Sequence, residues 1–78
     1  MTEGNIYLLK EDIGEIPSGV WAVVEIGMMI TLSRVGADED RNICTMHRLA
    51  NVTREEVESF DDMRLTVKFD DDLAADIN

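Results

Sequence analysis

The stretch "VWAVVEIGMMITLSRV", Val20 to Val35, predicts the centre of the fold. Its two apolar halves are joined around Gly27, and every second residue from Val20 to Ile26 is apolar and falls on one face of the first half. An alternation with a period of two is typical of a β-strand, and glycine favours a tight connection between two strands. The stretch therefore predicts a central β-hairpin.

The segment before this hairpin predicts one more strand and a long loop. "NIYLLK", residues 5–10, is rich in residues that favour strands. "EDIGEIPSG", residues 11–19, is interrupted by Gly14, Pro17 and Gly19, which favour turns and irregular backbone. We expect a first strand followed by a long connection into the hairpin.

The segment after the hairpin predicts two further strands. "GADED", residues 36–40, is a polar turn, and "RNICTMHRL", residues 41–49, alternates as a fourth strand. "MRLTVKF", residues 63–69, alternates throughout, with Met63, Leu65, Val67 and Phe69 expected to face inward and the intervening residues outward. The acidic stretch "DDDLAADIN", residues 70–78, is expected to be a partly flexible tail.

A short helix is predicted between the last two strands, in "VTREEVESFDDM", residues 52–63. Thr53 and Glu56 have the spacing of a capping box, and Val52 and Val57 that of a hydrophobic staple. Val57 should dock on the sheet together with Phe60. The acidic residues of the outer helix face would then follow one another at i, i+3 and i+7: Glu55, Glu58 and Asp62.

The length of 78 residues indicates a single domain, residues 1–78, with a thin core. We predict a mainly β (α+β) fold, a small five-stranded antiparallel barrel or bent sheet with one short helix before the last strand. The segment "LLKEDIGEIPSGVWAVVEI", residues 8–26, resembles the opening of small SH3-like barrels. In that family a strand, a long loop with Pro and Gly and a second strand lead into a meander, and a helical turn precedes the final strand.

The net charge of -10 is unevenly distributed along the chain. Residues 1–37 hold five acids and two bases, whereas residues 38–78 hold twelve acids and five bases. Such a field repels nucleic acid and anionic lipid and attracts basic surfaces. The single cysteine, together with the expected lack of a signal peptide and of a membrane-spanning segment, favours a cytoplasmic protein.

Neither a catalytic centre nor a metal site is predicted. Cys44 and His47 are three residues apart in a predicted strand, so their side chains should point to opposite faces and cannot share an ion. The acidic run from Asp70 to Asp76 has Ala75 where a calcium-binding EF-hand loop needs glycine. We therefore expect no cofactor and no enzymatic activity.

The carboxylates allow two interpretations. Acidic runs most often keep a chain in solution or adapt it to high salt. The concentration of charge in the second half instead favours a binding surface whose spacing is comparable to that of a DNA backbone. The candidate partner-binding residues are Glu55, Glu58, Asp61, Asp62, Asp70, Asp71 and Asp72, and a secondary interface would comprise Trp21, Met28 and Met29.

In size, acidity and lack of catalytic motifs the chain is similar to phage-encoded inhibitors of bacterial defence, the anti-CRISPR and anti-restriction proteins, some of which imitate DNA. That similarity implies a protein that occupies the basic, nucleic-acid-binding surface of a partner protein, without contacting nucleic acid or membrane itself. The alternative is an SH3-like interaction module that binds through a strand edge or through the Trp21/Met surface. The chain is expected to be a monomer or a homodimer.

Overall fold

The computed structural model describes residues 1–37 and 43–67. These residues form five antiparallel strands and one 3₁₀ helix, which confirms the predicted class and the number of strands. In chain order the elements are β1 (Asn5–Leu9), β2 (Gly19–Ile26), β3 (Ile30–Ala37), β4 (Ile43–Val52), the 3₁₀ helix (Glu56–Ser59) and β5 (Phe60–Thr66).

The strands form one sheet in the order β4-β3-β2-β1-β5, with β4 and β5 at its edges. The predicted central hairpin is confirmed, because β2 pairs with β3 through positions such as Trp21 opposite Arg34 and Ile26 opposite Ile30. Since the two edge strands are not paired with each other, the sheet is open. Of the two predicted forms, the closed barrel is therefore not observed, and the open sheet is.

The main core lies on one face of this sheet. Trp21, Val23 and Leu32 in the central hairpin are completely buried. The other buried members of this core are Tyr7, Leu9, Ile16, Ile30, Val52 and Phe60. A smaller second cluster, formed by Ile6, Ala22 and Val67, involves the alternate residues of β1 and β2 and therefore lies on the opposite face.

A bulge changes which residues of β2 face the main core. Val23 pairs with Leu32 and Glu25 pairs with Thr31, so β2 has one residue more than β3 at this point. One extra residue reverses the alternation of the side chains that follow it. Ile26 consequently packs against the main core, and the prediction that it shares a face with Ala22 is wrong.

The last strand differs from its prediction at both ends. β5 begins at Phe60 rather than Met63, and Phe69 lies outside the described residues. Val67 is buried in the second cluster, as its predicted inward orientation requires. Met63 and Leu65, also predicted to face inward, remain substantially exposed. Both belong to a bulge in which the three β5 residues 63–65 lie opposite the single β1 residue Ile6.

The predicted helix is present before the last strand, but it begins at Glu56, with Glu55 and not Thr53 as its N-cap, and it is shorter than predicted. The hydroxyl of Thr53 accepts a hydrogen bond from the Glu56 N–H at 3.3 Å, and the Glu56 carboxylate accepts one from the Thr53 N–H at 3.0 Å. This reciprocal pair is the predicted capping box. The helix is a single 3₁₀ turn because Phe60, immediately after it, is extended and pairs with Leu9 in the sheet.

A second large bulge lies in β4. Ser33 pairs with Leu49 and Val35 pairs with Thr45. Three β4 residues, 46–48, therefore lie opposite the single β3 residue Arg34. The bulge breaks the strand alternation on which the predicted separation of Cys44 and His47 depends. Most of the predicted turn 36–40, and the start of the predicted fourth strand, lie outside the described residues.

Candidate protein-binding surface

The predicted acidic row does not exist as one helical face. Glu55 precedes the 3₁₀ helix, Glu58 lies within it, and Asp61 and Asp62 belong to β5. All four residues are exposed. Because consecutive residues of a strand point to opposite faces, Asp61 and Asp62 present their carboxylates in different directions. The i, i+3, i+7 arrangement of the row was wrong because the helix ends before Asp62.

Two of the predicted carboxylates have partners within the chain. Asp61 forms an ion pair with Lys10 over 3.0 Å, and both side chains are largely exposed. Asp62 accepts a hydrogen bond from the Arg64 N–H at 2.6 Å. Glu55 and Glu58 have no hydrogen bond or ion pair to any residue in the described ranges. The remaining predicted acids, Asp70, Asp71 and Asp72, lie outside those ranges.

The first loop places further carboxylates beside the 3₁₀ helix. Leu9 pairs with Phe60, so the loop leaves β1 next to the beginning of β5. A shallow cavity of about 360 Å³ is lined by Glu11 and Asp12 on the loop and by Ser59 at the end of the helix. A second cavity, of about 460 Å³, is lined by Glu15 on the loop and Glu56 on the helix.

These two segments together form what we term the acidic face. Glu11, Asp12, Glu15 and Glu56 line the two cavities. We add three exposed acids that are close to Glu56 in the sequence: Glu55, Glu58 and Asp61. Sequence reasoning assigned Glu55, Glu58 and Asp61 to a binding surface but missed the loop residues. The acidic composition of "EDIGE", residues 11–15, was visible, but the pairing of β1 with β5 that brings this segment to the helix was not.

The shape of the first loop is fixed by what we term the Trp21–Arg34 clasp. The Trp21 indole N–H donates a hydrogen bond to the Pro17 carbonyl at 3.1 Å, and the Arg34 guanidinium donates one to the Ser18 carbonyl at 2.9 Å. The guanidinium also stacks over the Trp21 ring, 5.2 Å from its centre. Gly19 is required beside the clasp, because its φ of 139° suits glycine and a Cβ there would lie 2.5 Å from the Arg34 nitrogens.

Further contacts hold the loop internally. The Asp12 carboxylate accepts a hydrogen bond from the Ser18 N–H at 2.7 Å, which closes the loop across six residues. Ile13 and Ile16 exchange two backbone hydrogen bonds of 2.9 and 2.8 Å around the turn between them. The backbone that carries the loop carboxylates therefore has a defined conformation.

The pKa of Glu56 is displaced in the direction that favours the charged form. The backbone N–H of Thr53 is the larger cause and its hydroxyl the second, because both stabilise the carboxylate by hydrogen bonding and so lower its pKa. A general acid, or a base poised near neutral pH, requires a raised carboxyl pKa instead. Glu56 is thus suited to presenting negative charge.

The secondary interface predicted from Trp21 is wrong in its central residue. Trp21 is 0% exposed, because it packs in the main core beneath the clasp. Met28 is 97% exposed and Met29 is also exposed, both in the turn between β2 and β3. The buried tryptophan cannot combine with these methionines into an interaction surface.

Neither a metal site nor a membrane span is found in the part of the chain that the structure describes. No group of three or more His, Cys, Asp or Glu residues there could hold a metal ion. No helix there is long and apolar enough to cross a membrane. Cys44 is a free, exposed thiol.

No protein-family model, curated protein or solved structure matches this chain. The order of its elements agrees with the order that the SH3-like resemblance implies, with the 3₁₀ turn before the final strand. The resemblance itself and the similarity to phage inhibitors stay predictions.

Proposed function

We propose that this chain is a small, non-enzymatic acidic binding protein that occupies a basic surface of a partner protein in the cytoplasm. The basic surface would be one that otherwise binds nucleic acid, in a bacterial defence or nucleic-acid-processing complex, and the chain would act as its inhibitor. The observation that carries the proposal is the acidic face, which collects carboxylates from two separate segments of the chain.

The structural setting of the acidic face supports binding over simple solvation. Like charges brought close together repel and oppose compact folding, so a chain that needs only solubility gains by spreading them. Here seven carboxylates belong to these two segments, and among the described residues the bases that line the two cavities are Lys10 and Arg48. The first loop is also held in place by the clasp, which reduces the conformational entropy lost on binding.

The chemistry of the partner follows from the sign and the exposure of these groups. Carboxylates form charge-assisted hydrogen bonds with Arg and Lys, the same side chains that contact nucleic-acid phosphates. A protein surface that binds phosphates by charge would therefore accept the acidic face in their place. Association should be fast at low ionic strength and should weaken as salt rises.

The alternative, an SH3-like module that binds through a strand edge, has less support from the geometry. Both edge strands carry bulges, at residues 46–48 of β4 and at residues 63–65 of β5. A bulge interrupts the regular row of backbone donors and acceptors that an added strand needs. Of the surface that this alternative requires, only the exposed methionines of the β2–β3 turn remain available among the described residues.

The test is capture of a partner from native lysate, followed by measured binding to the purified partner. Glu58→Lys and Glu25→Lys make the same change of charge, but only Glu58 belongs to the acidic face, whereas Glu25 is exposed near the end of β2. Glu58→Lys should weaken binding at low salt much more than Glu25→Lys does. A DNA duplex should displace the wild-type chain from the partner.

Two outcomes would refute the proposal. Equal effects of the two substitutions would mean that only the overall charge matters, as the solvation interpretation predicts. A partner that binds DNA and this chain at the same time would show that the occupied surface is not the nucleic-acid-binding one. Circular dichroism of each variant shows whether the fold is kept.

A further inference from the structure

The segment of residues 1–4 folds back onto the bulge of β2. The Gly4 N–H donates a hydrogen bond to the Val23 carbonyl at 2.8 Å, and the Glu3 carboxylate accepts one from the Ile26 N–H at 3.1 Å. Val23 and Ile26 lie on either side of the extra residue in β2. Glu3 and Gly4 therefore bridge the irregular part of this strand.

The Glu3 side chain takes the place of a backbone acceptor. The pairing of β1 with β2 ends at Ile6 opposite Ala22, so no β1 residue lies opposite Ile26. A backbone N–H that lies beyond the end of a regular ladder needs another acceptor. The Glu3 carboxylate supplies it, and the hydrogen bond joins residues that are 23 positions apart in the sequence.

Gly4 connects the same corner of the sheet to the end of β5. Its carbonyl accepts a hydrogen bond from the Val67 N–H, so Gly4 lies between β2 and the residue that follows β5. Gly4 has a φ of 84°, and a Cβ there would lie 3.3 Å from the Val67 carbonyl oxygen. Both the conformation and the close approach favour glycine at this position.

The segment also covers part of the main core. Met1 and Ile26 are half-buried, and both pack against the main core. The Thr2 N–H donates a hydrogen bond at 2.9 Å to the hydroxyl of Tyr7, which is a buried member of that core. The segment is thus attached to the core by side-chain packing as well as to the strands by hydrogen bonds.

These attachments are more accessible to water than those of the central hairpin. Thr2 and Glu3 are exposed, and so is the hydrogen bond between Glu3 and Ile26. Trp21 and Leu32 in the hairpin are completely buried. A region with few buried contacts and exposed backbone hydrogen bonds opens at a lower free energy than the whole domain unfolds. The segment should therefore open while the hairpin stays folded.

We propose that residues 1–4 form a conformational latch, which opens and closes as one unit with the end of β2 and the end of β5. Glu3 holds the latch closed through Ile26, and Gly4 couples it to Val67. Opening exposes one corner of the main core while the rest of the sheet stays paired. No residue of the acidic face takes part, so the latch does not depend on the proposed function.

The test is hydrogen exchange of single backbone amides, measured by NMR on the full chain. Glu3→Ala removes the acceptor of the Ile26 N–H. The exchange rates of Ile26, Gly4 and Val67 should rise together by about tenfold, because a hydrogen bond to an ionised group is lost. The amide of Leu32 in the central hairpin should exchange as slowly as in the wild type.

Matched variants separate the latch from general effects of charge and strain. Glu11→Ala makes the same change of charge in the first loop and should leave the latch amides unchanged. Gly4→Ala places a Cβ against the Val67 carbonyl and should accelerate the same three amides more than that of Leu32. Gly14 also has a positive φ, but a Cβ there meets no atom within 4 Å, so Gly14→Ala should not open the latch.

Three results would overturn the proposal. If Glu3→Ala left the exchange of Ile26 unchanged, the carboxylate would not hold the segment closed. If the rate rose at Ile26 alone, residues 1–4 and Val67 would not open as one unit. If the rate at Leu32 rose as much as at Ile26, the segment would open only when the whole chain unfolds. Circular dichroism of each variant shows that the sheet is kept.

Discussion

Arg34→Met tests whether the Trp21–Arg34 clasp contributes to the free energy of unfolding. Methionine keeps an unbranched stem of similar reach over the indole ring but removes the charge and all hydrogen-bond donors. The hydrogen bond to the Ser18 carbonyl and the stacking on Trp21 are therefore lost together. No other change in the main core is introduced.

The size of the effect follows from these two contacts. A hydrogen bond from a charged donor contributes about 1.5–3 kcal/mol, and a partly solvated cation–π contact about 0.5–1 kcal/mol. Because Arg34 is only half-buried, the lower ends apply, and we expect a loss of about 2 kcal/mol in the free energy of unfolding. For a domain of this length that loss lowers the melting temperature by about 8–16 °C.

The assay is urea unfolding followed by circular dichroism, with fluorescence of the single tryptophan as a second probe of two-state behaviour. Arg48→Met is the matched control, since Arg48 is exposed and makes no hydrogen bond to the residues that the structure describes. The control should change stability by less than about 0.5 kcal/mol. If Arg34→Met were as stable as the control, the clasp would not stabilise the loop.

Three other changes have defined outcomes. Thr53→Ala removes one half of the capping box and should cost about 1 kcal/mol in denaturant melts. Because the folded pKa of Glu56 is lowered, its stabilisation is present above its unfolded pKa and is lost as pH falls through the folded value. Thr53→Ala removes the hydroxyl but keeps the backbone N–H, the larger cause, so the pKa measured by NMR should rise only part of the way towards normal. Leu32→Ala empties a completely buried position and should cost about 2–5 kcal/mol by the same melts. Neither zinc nor a chelator should shift the melting temperature, whereas a shift of several degrees would indicate a metal site that includes Cys44 or His47.

Local signals in the sequence predicted local structure well. The Thr53–Glu56 capping box formed because both of its hydrogen bonds join residues three apart, and the central hairpin formed because its two halves alternate around Gly27. These elements depend on neighbouring residues alone. They could therefore be predicted without knowledge of the tertiary fold.

Side-chain orientation could be predicted only where the strands are regular. The single extra residue between Val23 and Glu25 moves Ile26 to the main core, and no residue in "VVEI" signals it. The helix was expected to be longer because the pairing of Phe60 with Leu9, which ends it, is a contact between distant segments.

The composition of the acidic face depends on distant contacts in the same way. The loop residues Glu11, Asp12 and Glu15 reach the 3₁₀ helix only because β1 and β5 are adjacent in the sheet. The burial of Trp21 likewise requires the core that the whole sheet encloses. The charge of the sequence predicted an acidic surface. The topology of the sheet determined which residues belong to it.

The number of extra residues in each bulge determines how this chain tolerates insertions and deletions. The bulges of β4 and β5 each contain two extra residues, an even number, so the side chains beyond them return to their original faces. Val67 lies in the second cluster because the number of extra residues before it is even. Loss of a single codon among residues 63–65 would leave an odd number and turn Val67 away from its cluster. Loss of two codons there would remove both extra residues, and with them the bulge, and would keep Val67 on its original face.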